Sequence, residues 1–232
     1  MRSFLLVRPA LSVIPALLLV GACLAQTPAA DPKKVVPNTP PKTTAAKTTP
    51  KTTAAVKNYK LTGSPAAKVT MELYTDFECP SCREFFLKVL PEVERDYVAT
   101  GKIQLLHRDF RLPQHNYTKV AARYANAAGQ IGQYQIVAQA LFAKQQDWAQ
   151  NGNVDAAVAK VLSPADLEKV RNLVKTDSHL DDTCVADEAQ GAKDALSETP
   201  TMVIVKDGKR TKIGGFVQYN ILKAYLDQIL KS

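Results

Sequence analysis

Apolar side chains fall into different rhythms along this 232-residue chain, and each rhythm predicts a different kind of element. Residues 68–75 (Lys-Val-Thr-Met-Glu-Leu-Tyr-Thr) form an apolar, β-branched run that suits a buried strand. From Arg83 to Tyr97, the positions Phe86, Val89, Leu90, Val93 and Tyr97 recur at spacings of three and four, which predicts an amphipathic helix. Pro91 lies inside it and should kink it or open a second segment. Gly101 ends this unit, and Lys102 to Phe110 reads as the next strand. From about 115 to 196 the pattern is helical, with Val120, Tyr124 and Ala128 every fourth residue and Val137 and Leu141 likewise. Ser163-Pro164-Ala165-Asp166 starts a helix there, a capping serine followed by a proline that has no N–H to lose. Strand character returns at Thr201 to Val205, Asp207-Gly208 makes a hairpin turn, and Lys209 to Ile213 pairs back. Tyr219 to Leu230 closes the chain as an amphipathic helix. Strand, helix, strand, helical block, hairpin, helix is an α/β layout with a helical insertion.

The first 55 residues follow neither rhythm. Arg2 and Arg8 precede an apolar run, Leu11 to Val20, broken only by Ser12 and Pro15; Gly21 and Ala22 follow. Residues 1–22 therefore read as an export signal. The run is short against the roughly 20 apolar residues a membrane span needs, although an uncleaved anchor is the other reading. Leu19-Val20-Gly21-Ala22-Cys23 resembles a bacterial lipobox, which would make Cys23 a lipidated N-terminus; ordinary cleavage after Ala25 would remove it instead. Residues 26–55 hold six prolines, repeat Pro-Lys-Thr-Thr-Ala-Ala at 41–46 and 50–55, and carry almost no large apolar side chain. Such a segment cannot bury enough surface to offset its ordering entropy, so 23–55 is expected to be a disordered linker. As a loose coil it would span roughly 30 Å, and up to about 90 Å if proline stiffened it throughout. Residues 56–232 remain as one folded domain.

Charge adds little. The formal net charge is +8, but Arg2 and Arg8 supply two charges and the five lysines of 26–55 against Asp31 supply four more. The folded part is close to balanced and has no concentrated basic footprint for nucleic acid.

Cysteine spacing points to the chemistry. Cys79 and Cys82 bracket Pro80 and Ser81, directly after a buried-type strand and at the opening of a helix. The thiolate is the nucleophile in disulfide exchange, and a free thiol with a pKa of about 8.5 is mostly protonated at neutral pH. Unpaired N–H groups and the macrodipole at a helix head favour the anion. Cys79 should therefore be the exposed attacking sulfur. Cys82, one turn in, should resolve the mixed disulfide. Export supports the reading, because disulfide chemistry belongs in oxidising compartments.

Here the chain resembles the DsbA-like branch of the thioredoxin superfamily. Tyr74-Thr75-Asp76-Phe77-Glu78-Cys79-Pro80-Ser81-Cys82 is similar to that branch's junction of strand and motif. His107-Arg108-Asp109-Phe110-Arg111-Leu112-Pro113 with His115 resembles the stretch leading into its insertion, and Leu141-Phe142 a pair within it. Glu198-Thr199-Pro200-Thr201 matches the position of its cis-proline loop. Arg111 and Glu198 depart from the pattern, where proline and glycine are usual. The resemblance implies a thioredoxin-like fold whose insertion separates a βαβ half from a ββα half. It implies a cis bond at Pro200, with Thr199 and Pro200 lining a groove that holds extended substrate as an added strand. It further implies exchange of disulfides with thiol-containing or unfolded protein substrates and a redox partner protein; no cofactor is expected, and the residue pattern predicts no metal. The location implied is periplasmic or otherwise extracytoplasmic, with a membrane tether if Cys23 is lipidated.

Other residues carry plainer expectations. Cys184 reads as a buried structural thiol, and Trp148 and Phe142 as packing for the insertion. His107, His115 and His179 are scattered and announce no zinc site. Asp76 and Glu78 read as solvated acids at a strand end. Glu72, inside an apolar strand, reads as an edge position or as a proton acceptor for Cys82. Two other function classes fit the same motif: a chaperone-like module that binds peptide in the groove without turnover, and a carrier of copper or zinc on the two cysteines.

Overall fold

The computed structural model describes residues 58–232. The expected export signal (1–22), Cys23 and the expected linker (23–55) lie outside the described residues. Five strands form one mixed sheet in the order β1-β3-β2-β4-β5. The strands are β1 (Leu61–Gly63), β2 (Val69–Thr75), β3 (Ile103–Asp109), β4 (Thr201–Lys206) and β5 (Lys209–Gly214).

The parallel pair β2–β3 is joined by a helical crossover. It opens as α1 (Pro80–Glu84) and continues through a wider turn at Phe85–Val89, then α2 (Leu90–Val93), then a second wide turn at Glu94–Val98. Pro91 supplies the reason for the first widening. It has no N–H for the helical ladder, so the ladder loosens before it and α2 restarts with the proline in its first turn. The hairpin β4–β5 turns through Asp207 and Gly208 at φ +47° and +77°, the pair of positive angles that a two-residue hairpin loop requires. α9 (Tyr219–Lys231) then packs on the crossover, where Tyr97 Oη donates to Asp227 Oδ1 at 2.6 Å.

Between β3 and β4 lies the helical insertion: α3 (Thr118–Gln130), α4 (Tyr134–Ala143), α5 (Gln145–Trp148), α6 (Val154–Val158), α7 (Pro164–Thr176) and α8 (Asp182–Lys193). Ser163 caps α7 by accepting from the Asp166 N–H. The βαβ and ββα halves flank the insertion in the order the family resemblance implies. The buried stripe of α3 is offset from the expected Val120–Tyr124–Ala128. It runs through Ala121, Ala122, Ala125, Ala128 and Gly129, while Val120 and Tyr124 are half-buried. Small side chains let neighbouring helices approach closely, and a period-four count of large residues overlooks them.

One strand is found where none was expected, and one further expectation is corrected. β1, at the sheet edge, is three residues long and pairs antiparallel with β3; its sequence has too few positions to show any period. Glu72 is not at an edge. β2 lies between β3 and β4, and Glu72 is 5% exposed on the face carrying α8. Arg108 Nε donates to it at 2.6 Å, Arg210 Nη1 and Nη2 at 3.0 and 2.9 Å, and Tyr74 Oη at 3.0 Å. Burial pushes its carboxyl up, but the two guanidinium groups outweigh that and hold it below the ordinary range. It is an ion-pair residue, and among the described residues it makes no hydrogen bond to Cys82.

Candidate active site at the head of the first helix

β2 ends at Thr75 and carries the chain to the surface of the sheet's C-terminal end, where Cys79 stands as the residue just before α1. Cys79 is extended (φ −75°, ψ 121°) and Pro80 takes the first helical position. Pro80 and Ser81 are exposed. Both motif cysteines are free thiols. Cys82, one turn in, is fully buried, and its sulfur accepts from the Asp76 N–H at 3.5 Å. Cys79 was expected to be openly exposed. It is the more accessible of the two, yet only 6% of its surface reaches solvent.

The cis-proline loop explains the cover. The Thr199–Pro200 bond is cis, and the carbonyl oxygen of Thr199 lies 3.4 Å from Cys79 Sγ. Thr199 and Pro200 are themselves buried, so the loop and the helix head close on one sulfur from two sides. β4 begins immediately after, antiparallel to β2, which is how residues 120 positions apart come to meet.

Protonation differs between the two thiols. A hydrogen bond from Cys82 is the strongest influence on Cys79 and, against the opposing effect of burial, draws its pKa down to about 6. The backbone N–H groups of Cys82 and Ser81 act in the same direction, as expected at a helix head. Cys82 is pushed well up, first by burial and then by the hydrogen bond to Cys79 and the charge of its thiolate. The pair can therefore shed one proton near pH 6 and hold the other. Alkylation of the reduced protein should be slow below pH 6, when Cys79 is a thiol, and rise to a plateau above it with a midpoint near 6. Among Cys79, Cys82 and Cys184, one label, on Cys79, is expected at pH 7. Mass spectrometry after timed iodoacetamide treatment checks this, and a midpoint near the free-thiol value of about 8.5 would contradict it.

Side chains that sequence reasoning passed over complete the site. Gln145, from α5, is 3% exposed and its amide donates to the carbonyls of Phe77 and Cys79 at 2.8 and 2.9 Å. It pins the strand-to-helix junction to the insertion. Asp76 is not a solvated acid but 1% exposed. Its Oδ1 accepts from the Glu78 N–H at 2.8 Å, its Oδ2 accepts from the Leu112 N–H at 2.7 Å, and His115 Nδ1 lies 2.9 Å from Oδ2. Glu78 is half-buried and accepts from the Tyr117 N–H at 2.6 Å. The two acids flanking the motif thus hold the loop after β3 against it. No local pattern marks these roles, because the partners on the loop after β3 and on α5 lie 36 to 68 positions away.

The remaining candidates are dispersed. His107 is buried beside Phe86 and Tyr134, and burial, with the Lys60 charge adding, holds it neutral with a pKa of about 4. His115 stands beside Asp76, and His179 is exposed beside Asp182. Cys184 is fully buried, bonded to Asp109 Oδ2 at 3.1 Å and to Asn126 at 3.2 Å, and burial raises its pKa. Trp148 and Phe142 sit in the core, as expected, with Phe142 stacked on Phe77 behind the motif.

Known proteins resemble this chain in sequence and in fold. A family model described as thioredoxin matches residues 56–228. A stretch of 48 residues, 21% of this chain, is 38% identical to the probable disulfide bond formation protein D of Bacillus cereus and of Bacillus anthracis. That match spans about a fifth of those relatives' length, 22%. Among solved structures, Wolbachia pipientis alpha-DsbA1 superposes with a TM-score of 0.62 at 23% identity, over 74% of this chain and 90% of its own. Oxidised BdbD of Bacillus subtilis gives 0.59 at 20% identity, over 77% and 96%, and DsbA2 of Pseudomonas aeruginosa gives 0.55 at 23%, over 75% and 96%. The chain belongs to the thioredoxin family and carries its DsbA-like fold.

Proposed function

We propose that this protein is an extracytoplasmic thiol-disulfide oxidoreductase that exchanges disulfides with protein substrates through Cys79-Pro80-Ser81-Cys82. The observation that carries the reading is the setting of one sulfur. Cys79 stands at a helix head with its pKa near 6, faced at 3.4 Å by a cis-proline loop carbonyl and backed by a buried second thiol.

The chemistry balances as two successive exchanges. Cys79 thiolate attacks one sulfur of a substrate disulfide; the S–S bond breaks, a Cys79–substrate disulfide forms, and the second substrate sulfur leaves as a thiolate that takes up a proton. Cys82 then gives up its proton and attacks Cys79 Sγ. The 79–82 disulfide forms and the first substrate sulfur leaves in turn. The protein has lost two electrons and the substrate has gained them. Run backwards, the same steps oxidise a substrate dithiol and leave the protein reduced. In either direction a redox partner protein must restore the starting state. Cys79, having the lower pKa, is the better leaving group of the pair, so a substrate thiolate attacking the mixed disulfide expels it readily.

Thr199 and Pro200 would hold the substrate backbone beside Cys79 as an added strand. The predicted export signal supports an extracytoplasmic location, and the lipobox-like Cys23 with its 30-odd-residue linker supports a membrane tether. The protein in its 79–82 disulfide form, mixed with a reduced dithiol peptide, should yield cyclised peptide and reduced protein in equal amounts. Purified protein that forms no mixed disulfide and transfers no electrons in either direction would overturn the reading. A peptide retained without any change in thiol count would favour the binding-module alternative, and metal bound to isolated protein the carrier alternative.

A further inference from the structure

One charge at the rim has no part in the exchange steps. Glu198 immediately precedes Thr199, whose carbonyl faces the Cys79 sulfur. Its side chain is exposed and makes no ion pair or side-chain hydrogen bond among the described residues; only its backbone carbonyl is used, accepting from Thr201 Oγ1 at 2.8 Å. The carboxylate lies across the end of β5. A methyl built on Gly214 would stand 2.5 Å from Glu198 Oε1, so that glycine leaves the space the carboxylate occupies, while one on Gly215 would lie in ordinary contact, 3.6 Å from Oε2. Nearby cations of β5 are engaged elsewhere: Arg210 with Glu72 and Asp194, and Lys212 with the Ala195 carbonyl at 2.7 Å. Phe216, the residue after Gly215, is exposed at 40%, among the few large apolar side chains left open to solvent.

We infer that Glu198 and Phe216 form a subsite for a lysine or arginine flanking the target cysteine of a polypeptide substrate; this rests on the thiol-exchange reading above. An extended chain whose sulfur bonds Cys79 must pass the Thr199 backbone. Successive residues of such a chain are about 3.3 Å apart, which brings a flanking side chain within reach of residue 198. A long cationic side chain has both parts the rim can use. Its methylene stem covers apolar surface such as Phe216, and its charged head stays in water beside the free carboxylate. The exposed pair is worth a small factor, sensitive to salt. A flanking carboxylate meets repulsion at the same place.

The test uses peptides identical except for Lys, Gln or Glu beside one reactive cysteine, presented as mixed disulfides to the reduced protein. Second-order exchange rates should fall in the order Lys, Gln, Glu, with about a fivefold ratio between the ends at low ionic strength, shrinking as salt is added. Glu198→Gln should compress the Lys-to-Glu ratio toward one, and Glu198→Lys should invert it. Equal rates for the three peptides on the native protein, or a Lys preference that survives Glu198→Gln, would overturn the subsite while leaving the exchange reading intact. Exchange with none of the three peptides would bring down both.

Discussion

Replacing Cys79 by alanine will abolish both disulfide reduction and oxidative refolding of a protein substrate, whereas Cys82→Ser will stop turnover but accumulate a covalent adduct. The asymmetry follows from position. Cys79 is the sulfur reachable through the gap between the helix head and the cis-proline loop, and it is the one held as a thiolate near neutral pH. Cys82 is fully buried, so no large substrate reaches it directly. Without Cys79 the remaining thiol is sealed and strongly protonated, and exchange should drop to the rate of the uncatalysed reagents. With Cys79 alone, the first exchange still proceeds and the second has no attacking group. The Cys82→Ser protein should therefore retain substrate as a species separable on a non-reducing gel and released by dithiothreitol. Losing the hydrogen bond from the Cys82 thiol also matters, since it is the largest influence lowering the Cys79 pKa. A serine hydroxyl can replace that donor and an alanine cannot, so trapping should be faster in Cys82→Ser than in Cys82→Ala at pH 6 to 7. Turnover by Cys79→Ala, or trapping through Cys82 in its absence, would reverse the assigned roles.

What the sequence made legible was local. The run at 68–75 found β2 to within one residue, because a strand buried on both faces is a continuous apolar stretch. Asp207-Gly208 located the hairpin, since two positive φ angles in succession restrict the residues that can stand there. The cysteine pair and the Thr-Pro step were legible for the same reason: each is a short motif whose chemistry depends on adjacent residues. Partners chosen by the fold were not legible. Glu72 looked anomalous in an apolar strand, and nothing near it in sequence announces Arg210, 138 positions away. Gln145 is one glutamine among several, singled out only when α5 places it over two carbonyls of the motif. Asp76 and Glu78 read as solvated because strand ends usually are; the loop that covers them returns from β3.

The same distinction governs stability, and it yields the second large effect. Lys60, just before β1, is 3% exposed and bonds Asp109 at 2.6 Å and Asp187 at 3.0 Å. Asp109 also accepts from Asn126 and Cys184, and Asp187 also pairs with Arg108. A single ammonium therefore ties the sheet's edge strand to β3 and α8. Burial disfavours each charge, but mutual attraction prevails: the Lys60 pKa stands well above its ordinary value and the Asp109 pKa below its own. Lys60→Met keeps most of the volume and deletes the cation, leaving a buried carboxylate without its main partner. Removing one member of a buried pair costs about 3–5 kcal/mol, a large share of the roughly 5–15 kcal/mol that holds a domain together. Because Asp109 is lowered, its contribution in the native protein is complete above the unfolded carboxylate pKa of about 3.9 and is lost only as pH falls below that. Because Lys60 is raised, its contribution is complete below about pH 10.4 and is lost only as pH rises through the folded value. The native protein thus keeps the full pair at both pH 5 and pH 8. In the variant the sign reverses for Asp109: burial without the ammonium raises its pKa, and folding then costs more as pH climbs above the unfolded value. Urea unfolding should show a deficit that is larger at pH 8 than at pH 5, with the denaturant slope unchanged. A deficit under about 1 kcal/mol, or one equal at the two pH values, would mean that the carboxylates find compensation that this network does not show.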